Sequence, residues 1–343
     1  MRRILLVLAL LGAALGSAGA ASAGSPLHGS EWQAFATRFV LPDGRVADTG
    51  NKGISHSEGQ GYGMIMATAY GDRETFDRLW RWTAANLQVR GDHLFAWKWE
   101  TGPSRATDLN SASDGDILIA WGLLRAADLW KDEGYGAAAL AILDDVRDRL
   151  VVETSLGKVL LPGPEGFVRD GSVVLNPSYW VFPALDAFAR RHDRDLWRAV
   201  SDSGRALVAR ARFGEAGLPP DWVELAGTEL RLPSGFETVF GFNAIRVPLY
   251  AIWGGLDDAD ALNRPVVSWW SGHDGAPFIP ATVDLATDAK APYGLSGGGR
   301  AVSVLTRFRG EALPMLPSIG DTDDYYSATL ILLTKIAFSE RFL

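Results

Sequence analysis

The spacing of apolar residues constrains this chain more than any other feature. Hydrophobic side chains recur three and four positions apart in segment after segment, while the alternation that marks long strands is nearly absent. The pattern predicts helices over about 29–40, 57–70, 73–88, 114–131, 135–150, 178–191, 195–212, 236–254, 259–271, 299–309 and 323–341. From Asp114 to Trp130, for example, Ile117, Ala120, Leu124, Ala127 and Trp130 make one apolar face, with Arg125, Asp128 and Lys131 toward water. Strand signals are short and few, the best of them at Leu94–Trp99 and Val159–Leu161. Turn residues fill the gaps, as in Pro42-Asp43-Gly44, Asn51-Lys52-Gly53 and Leu161-Pro162-Gly163-Pro164. No fixed-period repeat occurs, nor any linker long enough to divide the chain. The expectation is an all-α ring of helical hairpins; a helical solenoid, the alternative, calls for more regular spacing.

The first residues read as a targeting segment. Arg2 and Arg3 precede the apolar run Ile4 to Leu11, small residues follow, and Ala21-Ser22-Ala23 fits a small-x-small cleavage site. The run is too short to span a bilayer. Residues 1–23 are therefore expected to be a signal peptide and 24–343 a single domain, exported and not inserted in a membrane once the signal is removed. The chain has no cysteine, which excludes disulfides, thiol catalysis and thiolate metal sites. Export is compatible with that when the core is large.

Loss of Arg2 and Arg3 lowers the 33 basic residues to 31 against 41 acidic ones and takes the net charge from -8 to -10. An acidic surface argues against nucleic acid and anionic membranes as partners and suits a neutral substrate. The chain carries thirteen tryptophans. Flat aromatic side chains are platforms for the apolar faces of sugars, but they also fill helical cores; Trp80, Trp121, Trp130 and the pair Trp269-Trp270 are assigned to the core. His28, His56, His93, His192 and His273 show no metal-ligand spacing, so no metal is expected. Leu295-Ser296-Gly297-Gly298-Gly299 lacks the lysine of a phosphate loop and reads as a flexible loop. No nucleophile elbow supports serine hydrolysis.

Three constellations carry chemistry. In Ser55-His56-Ser57-Glu58-Gly59-Gln60-Gly61-Tyr62-Gly63-Met64, Ser57 can cap a helix that starts at Glu58. Three glycines inside one helix, each costing about 1 kcal/mol relative to alanine, point to close approach of a neighbouring helix or a ligand. Glu58 is either a residue that favours the helix dipole or a catalytic acid. In the second role it meets a conflict, because a helix N-terminus favours carboxylate whereas a general acid must keep its proton. Asn110-Ser111-Ala112-Ser113-Asp114-Gly115-Asp116 opens the strongest helix, its two carboxylates being caps or, for one of them, a cleft residue opposite Glu58. In Phe240-Gly241-Phe242-Asn243-Ala244-Ile245-Arg246-Val247-Pro248, Arg246 follows Asn243 by one turn and is a cleft donor or an ordinary surface residue. Trp97 and Trp99 share a face if their segment is extended, and Tyr179 and Trp180 follow the turn Asn176-Pro177-Ser178.

Taken together and in this order, these segments resemble glycoside hydrolase family 8, in particular the branch found with bacterial cellulose synthase. The likeness runs from Trp32 to about Trp253 and includes Asp48-Thr49-Gly50-Asn51, the Glu58 segment, Phe95-Ala96-Trp97-Lys98-Trp99, Ala112-Ser113-Asp114-Gly115-Asp116, Asn176-Pro177-Ser178-Tyr179-Trp180 and Leu218-Pro219-Pro220-Asp221-Trp222. The resemblance implies an (α/α)6 barrel with a long open cleft and short strand segments in the loops near it. It implies an inverting endo-β-1,4-glucanase that needs no cofactor, secreted or periplasmic, with β-1,4-glucan as substrate and the cellulose synthase export machinery as a candidate partner. Glu58 then matches the proton donor and Asp114 the central aspartate at the distorted sugar. Trp97, Trp99, Tyr179, Trp180, Asn243 and Arg246 are the expected substrate-binding residues. One position departs from the pattern: many members carry, where Asn243 stands, the aspartate that activates water. The base is therefore either relocated, with Asp114, Asp116 or a loop acid as candidates, or absent. Absence would make the chain a glucan-binding protein with little or no hydrolysis. Chitosan, xylan and mixed-linkage glucan are the alternative substrates.

Overall fold

The computed structural model describes residues 27–102, 105–310 and 314–343; the expected signal peptide lies outside them. Eleven α-helices form among the described residues: α1 (Gly29–Phe39), α2 (Ser57–Ala69), α3 (Arg73–Asn86), α4 (Ser113–Trp130), α5 (Glu133–Leu150), α6 (Phe182–Arg191), α7 (Arg194–Arg210), α8 (Arg246–Trp253), α9 (Ala259–Ser271), α10 (Gly297–Arg307) and α11 (Tyr325–Phe342). Five of them start where a short polar side chain takes up an orphan amide. Asp72 accepts from Thr75, Asp193 from Leu196, Ser296 from Gly299 and Asp324 from Ser327.

The helices build two concentric rings. In the inner one α2 packs on α4, α4 on α6, α6 on α8, α8 on α10, α10 on α11, and α11 returns to α2. Outside it, α3 covers α2, α5 covers α4, α7 covers α6, α9 covers α8 and α10, and α1 covers α11. This is the expected (α/α)6 barrel. Position in the rings explains a difference from the expected patterning. Helix α4 is buried continuously from Ser113 to Leu124, so its inner end has no water-facing side, whereas the outer helix α7 keeps a one-sided apolar stripe. Two glycines set the closest contact in the ring. A Cβ on Gly61 would stand 2.5 Å from Cβ of Leu118, and one on Gly115 would stand 2.9 Å from the Glu58 amide nitrogen. The glycines of α2 thus serve helix approach, and they bring Glu58 and Asp114 onto adjacent helix starts.

Other boundaries moved for local reasons. The helix expected over 236–254 is confined to Arg246–Trp253, with Pro248 in its first turn, where a missing N–H costs no helix bond. The expected start at 178 is a 3₁₀ turn, Pro177–Tyr179, before α6. The segment read as a flexible loop is ordered helix: Gly297, Gly298 and Gly299 are buried in the first turn of α10, where a Cβ on Gly298 would meet the Ser327 carbonyl at 2.5 Å.

Strands occupy one set of loops and outnumber the few expected. β1 (Ser55–His56), β2 (Ala96–Glu100) and β3 (Arg105–Ser111) form an antiparallel sheet leading into α2 and α4, with Ser55 opposite Trp99. β4 (Val151–Thr154) and β5 (Gly157–Leu160) make a hairpin. β6 (Val168–Arg169), β7 (Ser172–Leu175), β8 (Val223–Ala226) and β9 (Glu229–Arg231) form a four-stranded sheet in which Val173 faces Leu225. β10 (Val239–Phe240) pairs with β11 (Val283–Asp284). Most of these strands have only two to five residues and give too little alternation to detect, and the pairing of β7 with β8 spans about fifty residues of sequence.

Candidate active site

The starts of α2, α4, α8 and α11 meet at one end of the barrel, around a cavity of about 360 Å³ whose wall includes Glu58, Asn243, Arg246, Asp48, Asp324 and Tyr326. Four helix N-termini at one place favour negative charge there. Arg246 is the hub. It is 2% exposed, so it is not the surface residue that the sequence left open. Its Nη1 lies against Glu58 Oε1, donates to Tyr62 Oη at 2.8 Å and stands 3.7 Å from Asp114 Oδ2. Its Nη2 donates to Ser178 Oγ (3.0 Å) and Asn243 Oδ1 (2.7 Å). A buried guanidinium is tolerated because every face of it is paired, and loss of one partner would leave charge uncompensated.

Glu58 sits in the first turn of α2, its side chain one-fifth exposed, with Tyr62 Oη 3.2 Å from Oε1. The cap of this helix is His56 and not Ser57: the Gly59 amide donates to His56 Nδ1 at 3.0 Å, while Ser57 Oγ is buried without a hydrogen-bond partner. Asp114 is buried, and burial pushes its carboxyl up to about 7 against the opposing Gly115 amide, 2.8 Å from Oδ1. Burial pushes Asp116 up to about 7 as well, but this carboxyl accepts from Ser111 Oγ and the Phe95 amide (2.9 Å). It ties β3 to the loop before β2 and does not line the cavity.

Asn243 is held by both ends of its amide. Nδ2 donates to Asp221 Oδ2 at 3.3 Å, and Oδ1 accepts from Arg246. Asp221 is itself buried, which raises its pKa, and its oxygens gather the amides of Gly241 (2.9 Å), Asn243 (3.3 Å) and Ala244 (2.7 Å). The Leu218–Trp222 segment thereby shapes the loop that carries Asn243 into the cleft.

The expected aromatic contacts divide. Trp97 is half-buried with Lys98 Nζ 5.8 Å from its ring centroid, and Tyr179 is half-buried beside Trp222, ring centroids 6.2 Å apart. Trp180 is not a cleft residue: it is fully buried against Gly204 and its Nε1 donates to the Val200 carbonyl at 2.8 Å. Trp99 is also buried, between Trp82 and the Arg45 guanidinium. The two tryptophans of β2 part company because the ladder to β3 is irregular on both sides of Lys98. Trp121 and Trp270 are buried, and Trp80, Trp130 and Trp269 pack against the core, as expected.

Sequence reasoning missed several cavity residues. Phe242 is 54% exposed at the cavity rim and meets the Tyr326 ring edge-on at 6.2 Å. Asp48 and Asp324 flank Gly50, whose Cβ would stand 3.4 Å from Asp48 Oδ1 and 3.6 Å from Asp324 Oδ2. Asp48 lay in a segment already singled out, whereas Asp324 had no signal beyond its place as a helix cap.

Two carboxyls on one buried guanidinium, at the floor of an open cavity with aromatic walls and ringed by helices, are the equipment of a helical-barrel glycoside hydrolase. The family model of glycosyl hydrolases family 8 matches residues 5–339, and the chain belongs to that family. A protein of Novacetimonas hansenii named a probable endoglucanase is 40% identical over 342 residues, covering 98% of each chain. Among solved structures, the endoglucanase Cel10 of Klebsiella pneumoniae superposes with a TM-score of 0.85 at 39% identity, covering 91% of this chain and 99% of that one. The endo-β-1,4-glucanase CMCax of Acetobacter xylinum gives 0.85 at 38%, covering 92% and 98%. A cold-adapted family 8 xylanase, at 20% identity and a TM-score of 0.69, shares the fold.

Proposed function

We propose that this protein is an inverting endo-β-1,4-glucanase acting on cellulose outside the cytoplasm, secreted or periplasmic, in step with cellulose synthesis or export. The observation that carries the reading is the shared contact of Glu58 and Asp114 with Arg246 at the cavity floor. Glu58, the more accessible of the two, protonates the leaving glycosidic oxygen. Asp114, buried beside the guanidinium, supports the positive charge that develops at the anomeric carbon. Both reach the same guanidinium nitrogen, so they are too close to hold a water between them in the roughly 6.5–9.5 Å gap that inversion requires.

The water-activating carboxylate therefore lies elsewhere on the cavity wall. Asp48 is engaged through both oxygens, by the Gly50 amide at 3.0 Å and by His56 at 3.4 Å. Asp324 spends Oδ1 on the Ser327 amide (2.7 Å) and turns Oδ2 toward Gly50 at the cavity, and we assign it the base. Asn243 orients the water. Cellulose-synthase export components are the candidate partners, on the strength of the family branch.

The test is hydrolysis of a panel of soluble cellulose, mixed-linkage glucan, xylan and chitosan, with NMR of the first product. Cleavage of β-1,4-glucan with initial release of the α-anomer is expected; an initial β-anomer contradicts the mechanism. Asn243 favours a second reading, a glucan binder without turnover, and binding of cello-oligosaccharides with no hydrolysis of any panel member would establish it.

A further inference from the structure

The residue before α2 faces the proposed acid as well as closing the helix. Because the Gly59 amide donates to His56 Nδ1, that nitrogen carries its lone pair and the ring hydrogen sits on Nε2, directed at Asp48 Oδ2 3.4 Å away. The other neighbour of Nδ1 is Glu58 Oε2, at 3.7 Å. Nδ1 has one lone pair and the Gly59 amide already uses it, so across 3.7 Å, longer than a hydrogen bond, the nitrogen acts on Glu58 Oε2 as a partial negative charge: it repels a carboxylate oxygen and attracts a carboxyl hydrogen turned toward it. The second arrangement holds the proton on the side of Glu58 away from Arg246. Gly59 makes room for this, since a Cβ there would stand 3.1 Å from the imidazole Cε1 and 2.8 Å from Tyr325 Oη.

Resting on the reading of Glu58 as the acid, we infer that His56, its tautomer fixed by Asp48, is a positioning residue that keeps the transferable proton on Glu58 Oε2. This resolves the conflict posed by an acid at a helix start. The α2 dipole and the Arg246 guanidinium both favour carboxylate, and the partial negative charge on Nδ1 opposes them from the other side. The remaining charged or titratable groups around this pair are Asp48 on the loop before β1, Asp114 on α4, Tyr62 on α2, and Asp324 with the edge-on Tyr325 ring (5.8 Å) on α11. After the proton passes to the leaving group, Glu58 is left as the carboxylate beside Arg246, and uptake of one proton from water restores it.

The experiment compares pH profiles of kcat/KM on soluble cellulose for the wild type, His56→Ala, His56→Asn and Asp48→Asn, with melting temperatures alongside. In His56→Ala the basic limb should move to lower pH by about one unit, a tenfold change in proton affinity. His56→Asn supplies an amide oxygen to the Gly59 amide and to Glu58, and should return both the limb and the melting temperature toward wild type. Asp48→Asn, which frees the ring tautomer, should move the limb the same way by less. A destabilised His56→Ala whose limb stays in place would make His56 a helix cap only and overturn the inference. If His56→Ala does not fold, an unmoved limb in Asp48→Asn overturns it equally. The parallel variant Glu58→Gln separates the two readings. Its full activity would remove Glu58 as the acid, whereas an inactive Glu58→Gln with unmoved limbs in the others would fault His56 alone.

Discussion

The two ends of the barrel enclose cavities of similar size and put charge to different uses. Where the inner helices start, the wall of the cavity of about 360 Å³ includes Arg246, 2% exposed, with Asp114, 3% exposed, buried behind it. Where they end, a cavity of about 370 Å³ is lined by Trp121, Trp253, Arg125, Glu340, Asp186 and Arg190. There the tryptophan rings meet edge-on at 5.0 Å and Glu340 accepts from both Arg125 and Trp253 at 2.7 Å. The ion pairs at that end face water, with Asp186 and Arg190 each 63% exposed. Arginines at helix ends and carboxylates at helix starts both follow the dipole. Desolvation is what differs. It turns one set of charges into a buried network in which the Asp114 carboxyl is pushed up to about 7, and leaves the other as surface pairs worth about 0–1 kcal/mol each. Cavity size alone would have ranked the wrong end equal.

The largest effect that tests this contrast is at Glu58. Glu58→Gln should cut turnover about 100- to 10,000-fold with the helical spectrum unchanged, while Glu340→Gln at the far end should leave turnover at wild-type level. Retention of more than half the activity in Glu58→Gln ends the assignment. Next comes the base. Asp324→Asn should cost on the order of 100-fold in kcat. Asn243→Asp should bring no gain, because the new carboxylate would face Asp221 Oδ2 at the present 3.3 Å contact. A gain of about 100-fold or more in Asn243→Asp would show instead that the natural chain lacks its base.

A smaller effect is expected in stability. Asp116, pushed up to about 7 by burial, holds a proton in the folded chain that it releases near pH 4 when unfolded. The stabilisation is complete below pH 4 and is lost as pH rises through 7, so unfolding free energy should fall across that window. Asp116→Asn should flatten this slope in urea titrations at several pH values; an unchanged slope places the titration elsewhere. Trp97→Ala should weaken cello-oligosaccharide binding, on the order of tenfold for one lost stacking contact, while Trp99→Ala should lower stability by about 3–5 kcal/mol as a core truncation. Equal affinity in Trp97→Ala would move that ring out of the substrate path. Least of all, Arg190→Ala should change stability by under about 1 kcal/mol.

How much was legible beforehand follows from how local each signal was. Helix α4 and its pair Asp114 and Asp116 could be read because capping and apolar period lie within one segment, and Glu58 because three glycines beside it are costly without a reason. The same local view gave Trp97 and Trp99 equal standing, since alternation in an extended segment carries no information about an irregular ladder. It also gave Trp180 a place beside Tyr179, although the indole is fully buried against α7. Asp324 was invisible because a capping aspartate looks the same whether or not its second oxygen faces a cavity.

The sequence by itself determined the eleven helices, a close approach to the backbone of α2 at its glycines, and the two acids that head α2 and α4. Each rests on contacts within a turn or two of the chain, or on a motif read in order. Tertiary structure alone decided which partner each charge received. Arg246 meets Glu58 from 188 residues away along the chain, and Asn243 turns its amide nitrogen to Asp221 and its oxygen to Arg246. Such pairings, and the burial that holds Asp114 up near 7, depend on which helix starts converge once the ring closes, a geometry that no window of local sequence contains.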